Sequence, residues 1–450
     1  MWQRLLRNGS ELTTDRGETI EILYPGRPND GQGADFRDAV ITTVGGLLKG
    51  DIEIHVRSSD WRAHQHHHNP IYNRVILHVV WRQNSPIMTR LQNGGMVPTL
   101  VLCKHPAGEN NPSSDWLYHQ PAPNKSCSRS WDSSAPHRAV ECLESQGDKR
   151  FLIKAGRFKA DIARYGPGQT LYQGIMGALG YAKNKLPFLE LARRLPLPNL
   201  EVMALKKTTA EGCLTMLQAL LLGTAGLLPS QQQATHPEDA FGDRSATTLE
   251  KQWASFNLSQ AMPTDGWDTF RVRPANHPVR RITAISHLVL RYRKTGLLTE
   301  MLNLVHHTPP GKGYRQLEAG LMVTGLGSSI QMLSPLLGKA RAADIVVNVL
   351  LPFTFAWGRL NSQHGLKKKS LELYKSYPRL VTNSVEQHML RQLGFNSRLV
   401  DSARRQQGLI HTYNTLCTQG KCHGCPLSTV NYPSLRPGIT SKPKSSVLPA

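Results

Sequence analysis

The sequence of 450 residues has few acidic side chains, few cysteines and no long apolar run. Its most apolar stretch, residues 345–357, contains Asn348 and Pro352 and is shorter than the roughly 20 residues of a membrane-spanning helix. Seven cysteines, an odd number, do not suggest a disulfide framework and indicate a reducing compartment. The first residues lack the apolar core of a secretion signal. We therefore expect a soluble, cytoplasmic protein.

Basic residues dominate the charge of the chain. Lys and Arg number 54 against 32 Asp and Glu, which gives a net charge of +22 that is spread along the sequence. Cationic grooves gain affinity for polyanions by releasing the counterions condensed on phosphates. Nucleic acid is therefore the expected partner, and from charge alone an acidic membrane surface is the second candidate.

The order of sequence patterns divides the chain into five parts. Residues 1–105 show short alternating runs, which predict an α/β module with a mixed sheet. Residues 106–138 are rich in Pro, Asn and Ser and are predicted to be a loop or linker. Helical periodicity prevails over residues 139–410, which predicts a large all-α domain. Residues 411–426 hold a cysteine group, and residues 427–450 have the composition of a disordered tail.

Three polar residues of the α/β module are predicted to meet on one face of its sheet. Residues 51–56 alternate strictly, so Glu53 and His55 share one side of a strand. Gly45-Gly46 predicts a hairpin turn, and pairing across it brings Asp35 onto the same face. Two carboxylates suit a hard divalent cation such as Mg²⁺ or Mn²⁺, which polarises a scissile phosphate and activates water.

This order of elements resembles the restriction-endonuclease-like superfamily of nucleases. Their motif is an Asp, then on the next strand Asp or Glu, one residue and Lys. The resemblance implies a nuclease with Asp35, Glu53 and His55 as catalytic residues and with Asp35 and Glu53 as metal ligands. His55 stands in place of Lys, so either the site favours a softer ion such as Mn²⁺ or the chemistry is altered or lost. His68 and Tyr72 are similar to the Gln and Tyr of RecB-like nucleases.

Other histidines lie where they could border the same site. Besides His55 they are His64, His66 and His78. His78 interrupts an apolar strand, where a buried histidine more often forms hydrogen bonds in the core than binds a metal.

The chain as a whole resembles a bacterial family of unknown function, which implies a shared fold and an intracellular bacterial origin. The residues that carry the resemblance are 33–36, 50–55, 59–61, 75–79, 179–185, 273–276 and the terminal cysteines.

Basic residues of the helical region are candidates for phosphate contacts. Residues 271–294 contain no acidic residue, and a helix that begins near Pro278 would offer free N–H groups beside several guanidinium groups. An equally consistent interpretation is that these side chains pair with acids elsewhere or face water. The candidate nucleic-acid or phosphate-binding residues are Lys183, Lys185, Arg271, Arg273, Arg280, Arg281 and Arg341.

Three cysteines near the end of the chain, Cys417, Cys422 and Cys425, offer thiolate ligands within nine residues. They predict a Zn²⁺ site or an iron–sulfur cluster that fastens this segment. The resemblance to RecB-like nucleases implies the cluster, with one ligand from upstream. Candidate fourth ligands are His411 or His423 for zinc and Cys103 or Cys142 for iron–sulfur.

The sequence thus leads to three hypotheses. The first is a metal-dependent nuclease that hydrolyses DNA through Asp35, Glu53 and His55. The second is a non-catalytic nucleic-acid-binding or scaffold protein with a degenerate nuclease fold, and the third is a metal-dependent hydrolase of a small phosphorylated substrate. If the carboxylates of Asp35 and Glu53 lie more than about 8 Å apart or point to opposite faces, a shared metal is excluded. A closed pocket would favour the small substrate over DNA.

Overall fold

The computed structural model groups the chain into two compact units, one built on a sheet and one of helices. The sheet unit comprises the described part of Met1–Ala139 together with Gln387–Asn396 and the chain from Thr412. The helical unit comprises Val140–Glu386 and Ser397–His411. The residues described are 12–29, 31–104, 136–181, 183–232, 243–256, 261–269, 272–309, 311–324 and 335–427.

Within the described residues, seven strands form a mixed sheet in the order β1-β2-β4-β5-β6-β9, with β3 paired to β4. The pairs from β1 to β5 are antiparallel, whereas β5 with β6 and β6 with β9 are parallel. Two short strands, β7 and β8, form a hairpin. The strands are β1 (Leu12–Thr13), β2 (Thr19–Tyr24), β3 (Arg27–Pro28), β4 (Phe36–Thr43), β5 (Gly46–Arg57), β6 (Val75–Arg82), β7 (Thr89–Arg90), β8 (Met96–Val97) and β9 (Thr99–Val101).

The hairpin between β4 and β5 turns where the sequence predicts it. Gly46 has a φ of 108°, which glycine adopts without strain, and Thr43 pairs with Gly46 across the turn. The next connection joins parallel strands, so it must cross over the sheet. It consists of a short helix α1 (Asp60–Ala63) and two 3₁₀ turns, His66–His68 and Pro70–Tyr72. This crossover carries the histidines of the candidate site.

Gly50 lies where β5 approaches the chain entering β6, and Gly50→Ala is expected to destabilise the sheet unit. An added Cβ would overlap the backbone oxygen of Arg74 and the side chain of Ile76. Overpacking of this kind costs about 1–3 kcal/mol, which denaturant unfolding measures. Gly45→Ala is the matched control, because a Cβ there meets only Thr43 Oγ1 at 3.6 Å. Equal stability of both variants and the wild type would contradict the close approach.

The helical unit follows the predicted helical periodicity. The helix that begins with Pro278 confirms the start expected there, since proline suits the first position of a helix. The helices are α2 (Pro136–Tyr165), α3 (Pro167–Leu179), α4 (Lys185–Arg194), α5 (Leu197–Lys206), α6 (Ala210–Thr224), α7 (Asp243–Ala254), α8 (Pro278–Arg291), α9 (Leu297–His307), α10 (Tyr314–Leu321), α11 (Lys339–Ile345), α12 (Leu351–Leu360), α13 (His364–Lys375), α14 (Ser384–Leu393) and α15 (Ala403–Thr415).

Two described segments, Ala210–Gln231 and Lys339–Leu360, are long and apolar enough by length and composition to cross a membrane. In each of them 72% of the apolar window is buried inside the protein. Burial of this extent is typical of core helices, which fits a soluble protein.

Residues 387–396, which the sequence assigns to the helical domain, group with the sheet unit because side chains from this segment bond to the sheet. His388 Nε2 lies 2.6 Å from the hydroxyl of Tyr24 on β2. From the end of α15, the hydroxyl of Tyr413 donates to Asp38 Oδ2 over 3.1 Å. The predicted linker and tail lie almost wholly outside the described residues.

We expect the sheet unit to lose stability in acid partly through His388. Burial lowers the pKa of His388 from 6.5 to about 4, so the unfolded chain takes up this proton first as the pH falls. The contribution is complete above pH 6.5 and is lost between 6.5 and about 4, at a cost of about 3 kcal/mol. His388→Gln keeps a partner for Tyr24 without titrating, so its thermal midpoint should fall less between pH 7 and 4.5. Parallel pH profiles for the two proteins would contradict this role.

Candidate metal centre

The two predicted carboxylates meet between neighbouring strands. Phe36 pairs with Ile52, which sets Asp35, just before β4, against Glu53 on β5. The Asp35 amide donates to Glu53 Oε2 over 3.0 Å, and the Ile54 amide donates to Asp35 Oδ2 over 3.1 Å. Glu53 is 6% exposed, whereas Asp35 keeps an exposed edge. The antiparallel register therefore gives one buried carboxylate and one at the rim.

Burial and the neighbouring carboxylate act together on Asp35. Its pKa rises from 3.8 to about 6, first because the group is partly desolvated and second because Glu53 repels its negative charge. Hydrogen bonding from the Ile54 amide opposes this rise. Tyr72 faces the same two acids, and burial followed by their repulsion raises its pKa to about 12. A cation placed here would relieve the repulsion between the carboxylates.

Three imidazoles converge beside Glu53. The potential ligand atoms of His55, His64 and His66 all lie within 4.8 Å of one another. His55 Nε2 is 3.1 Å from His64 Nδ1. Glu53 Oε1 is 3.2 Å from His66 Nε2 and 3.5 Å from His55 Nε2. We call these four residues the histidine centre.

A left-handed residue in the crossover brings two of these histidines together. His64 follows α1 and His66 begins a 3₁₀ turn, with Gln65 between them at a φ of 58°. This turn of the backbone lets residues two apart face the same point. The His66 ring stacks on Tyr72 with centroids 3.9 Å apart, and the buried Trp61 packs edge-on at 5.3 Å. Aromatic packing thus fixes the orientation of His66.

A chain of hydrogen bonds orients His55 from behind. His55 Nδ1 is 2.9 Å from His78 Nε2, and His78 Nδ1 is 2.8 Å from Thr89 Oγ1. If His55 Nε2 offers its lone pair to a metal, Nδ1 carries the proton and donates it to His78 Nε2. His78 then donates through Nδ1 to Thr89. Such outer contacts set the tautomer of metal-binding histidines.

The protonation states suit a metal as well. Burial lowers the pKa of His55 to about 4 and that of His78 to about 3. Both rings are therefore neutral near pH 7, as ligation requires. His66 Nε2 is buried, and its contact with Glu53 Oε1 at 3.2 Å does not have hydrogen-bond geometry. A buried nitrogen that faces a carboxylate and two other imidazoles fits a metal ligand.

The structure brings Asp35, Glu53 and His55 together, as expected, and adds His64 and His66. It places His78 behind His55 as a supporting residue. His68 does not join the group: its ring lies 3.9 Å from that of His67, and it is His66 that stacks on Tyr72. Thr89 could not be predicted from the sequence, because a threonine in a short strand carries no distinctive signal.

The predicted phosphate-binding residues that are described all lie in the helical unit. Lys183, Lys185 and Arg273 are exposed, and Lys183 Nζ lies 3.7 Å from Asp268 Oδ2. Arg280 is half-buried, and Arg281 and Arg341 have little exposure and contact Tyr181. Arg271 lies outside the described residues.

Within the described residues, Cys417, Cys422 and Cys425 do not form a group of converging ligand atoms. Cys417 begins the 3₁₀ turn Cys417–Gln419 and Cys422 begins Cys422–Gly424. The Cys417 thiol donates to Met389 Sδ over 3.9 Å, so it packs against an apolar side chain. In the part of the chain that the structure describes there is no disulfide, and the histidines form its one group of converging metal ligands. A metal at Cys417, Cys422 and Cys425 stays a prediction, and Cys127 lies outside the described residues.

No curated protein and no solved structure matches the chain. One family model matches residues 1–380, and its description reads "Protein of unknown function (DUF2851)". Because this match covers well over half of the sequence, the chain belongs to the DUF2851 family.

Proposed function

We propose that this protein is a metal-dependent nuclease that hydrolyses phosphodiester bonds of DNA at the histidine centre. The observation that carries the proposal is the convergence of His55, His64 and His66, with Glu53 Oε1 within 3.5 Å of two of them and Asp35 bonded to Glu53. Three imidazoles beside a buried carboxylate, with His55 neutral near pH 7, are a donor set that can hold a divalent metal.

The strand arrangement supports the nuclease class. An antiparallel run, β2-β4-β5, is followed by a helical crossover to a parallel strand, β6. Asp35 precedes one strand and Glu53-x-His55 lies on the next, which is the order of the restriction-endonuclease-like motif. The histidine in the lysine position has a role here, because its neighbours His64 and His66 make it part of a ligand set.

The donor set points to a transition metal. Imidazole nitrogen suits Zn²⁺ and related transition-metal ions, whereas Mg²⁺ binds almost only oxygen ligands. With one carboxylate present, Mn²⁺ and Zn²⁺ are the ions we expect, and Mg²⁺ is a weaker candidate. When bound, such an ion polarises the scissile phosphate and lowers the pKa of water. Asp35, at the exposed rim, is placed to accept a proton from the attacking water.

DNA as the substrate rests on the charge of the chain. A net charge of +22 favours a polyanion, and exposed Lys183, Lys185 and Arg273 can contact phosphates. Cleavage of single- and double-stranded DNA with Mn²⁺, Zn²⁺ or Mg²⁺ tests the proposal. Cleavage that requires Mn²⁺ or Zn²⁺ is the expected result. Binding of DNA without cleavage under any metal would favour the non-catalytic alternative.

A further inference from the structure

A lysine ammonium group is enclosed inside the helical unit. Lys154 on α2 donates to Asn348 Oδ1 and, over 3.3 Å, to Gln407 Oε1. Its pKa lies well below the ordinary value, first because of burial and second because of the charge on Arg150. A buried cation with amide oxygens as partners is costly unless an anion lies near it.

An irregular turn presents Asn348 to this lysine. Residues Val346–Leu350 form a π-helical turn between α11 and α12. The side-chain amide of Asn348 donates to the Asp344 carbonyl over 2.9 Å, which leaves its oxygen for Lys154. Turns of this kind are rare and occur frequently at functional sites. The turn therefore holds a polar group at a place where a regular apolar helix would offer none.

Two guanidinium groups continue the polar network. Arg341 Nη1 lies 3.2 Å from Asp344 Oδ2, and its guanidinium carbon is 3.0 Å from the ring centre of Tyr181. Arg281 donates to the Tyr181 hydroxyl over 3.1 Å and is 4% exposed. Tyr181 itself has a φ of 54°, a strained conformation for this residue. Arg281 is buried because it shares a helix face with the core residues Ile285 and Leu288.

The charges in this network do not balance. Arg150 Nε donates over 2.8 Å to the same Gln407 oxygen that Lys154 contacts. The four cationic side chains Arg150, Lys154, Arg281 and Arg341, of which Arg281 is buried and the others are partly buried, form what we call the buried basic cluster. Burial is the first cause that lowers the pKa of each of them. Within the described residues, Asp344 is the acidic side chain that lies beside the cluster. It interacts with both Arg341 and Lys154. Four cations against one acid leave three positive charges for an anionic ligand, or two when Lys154 is neutral.

We propose that the buried basic cluster binds a phosphate monoester, such as the phosphorylated end of a nucleic acid or a small phosphorylated molecule. A monoester is compact and carries a charge of about −1.5 to −2 near pH 7, which matches the uncompensated charge. Guanidinium groups donate in a fork that fits phosphate oxygens. Enclosed cations suit a terminal group better than the continuous backbone of a duplex, which needs an exposed groove. The proposal does not depend on the histidine centre.

Titration calorimetry of the full chain tests this site. The probes are inorganic phosphate, a nucleoside 5′-monophosphate, and one oligonucleotide prepared with a 5′-phosphate and with a 5′-hydroxyl. Glu53→Gln is titrated alongside the wild type, so that cleavage of the probe does not disturb the measurement. For probes that the wild type does not cleave, the two proteins should have the same affinity. We expect the 5′-phosphorylated oligonucleotide to bind at least about tenfold more tightly than its 5′-hydroxyl form. Tighter binding of that oligonucleotide than of the mononucleotide identifies a nucleic-acid end, and equal binding identifies a small ligand.

Lys154→Met removes one charge of the cluster at nearly constant volume. It should weaken binding of the phosphorylated probes at least about tenfold while the thermal midpoint without ligand stays the same or rises. Lys159→Met, an exposed lysine on the same helix, is the control and should bind as the wild type does. If Lys154→Met does not fold, Arg341→Lys, which keeps the charge but loses the fork, should weaken binding. Equal affinity for the two oligonucleotide forms, or no binding of any phosphate by the folded wild type, would overturn the proposal.

Discussion

Glu53→Gln is expected to reduce metal-dependent DNA cleavage by about 100-fold or more without unfolding the protein. Glutamine keeps an oxygen that can accept from the Asp35 amide, so the bond that joins β4 and β5 survives. It removes the negative charge that faces His55 and His66. Loss of this charge weakens binding of the metal, so the scissile phosphate is less polarised in the transition state.

The activity measurement needs a control substitution at a nearby histidine that does not belong to the histidine centre. His68→Ala serves this purpose, because His68 is exposed on the same 3₁₀ turn as His66 and packs on His67. Initial rates under saturating Mn²⁺ should be near those of the wild type for His68→Ala and should be strongly reduced for Glu53→Gln and His66→Ala. Equal rates for His66→Ala and His68→Ala would remove the histidine centre from the mechanism.

Metal binding should stabilise the sheet unit, and His66→Ala should abolish this effect. At a free metal concentration of 100 times Kd, binding to the folded state alone adds about 2.7 kcal/mol to the free energy of unfolding. For a unit of this size the thermal midpoint should rise by about 5–11 °C. His66 is the ligand with the strongest case, because its buried Nε2 faces Glu53 Oε1 at 3.2 Å without hydrogen-bond geometry.

Differential scanning fluorimetry with and without Mn²⁺ or Zn²⁺ measures the effect. Zinc can also bind thiols, so Cys422→Ser is measured in parallel and should keep the shift. A shift that persists in His66→Ala and disappears in Cys422→Ser would place the metal at the terminal cysteines instead.

The convergence of Asp35, Glu53 and His55 could be predicted because it follows from short-range rules. Strand alternation places Glu53 and His55 on one face, and the glycine turn fixes the register against Asp35. The helix from Pro278 follows similarly from the restriction that proline places on its neighbours. Each of these predictions uses residues that are close in sequence.

Which of the consecutive histidines joins the centre could not be predicted. His66, His67 and His68 carry the same chemistry, and the choice between them depends on the left-handed turn at Gln65. Few sequences signal such a turn without glycine or asparagine. The stacking of His66 on Tyr72 likewise follows from two successive 3₁₀ turns. In one regular α-helix, His68 would have been the histidine next to Tyr72.

Long-range packing limited the prediction elsewhere. Contacts such as His388 with Tyr24 span 364 positions, and no local pattern announces them. The burial of the Arg281 side chain also depends on which face of its helix packs against the core. A basic run in the sequence is compatible with an exposed groove or an enclosed cluster, and the structure places this arginine among buried helices.

The most direct test of the histidine centre is the anomalous diffraction signal of a crystal soaked in Mn²⁺. We expect one strong peak among His55 Nε2, His64, His66 Nε2 and Glu53 Oε1, with the four side chains close to their present positions. A peak between Asp35 and Glu53 alone, away from the imidazoles, would restrict the site to its carboxylates. The absence of any peak at these residues in a well-occupied soak would contradict the metal centre and the nuclease mechanism built on it.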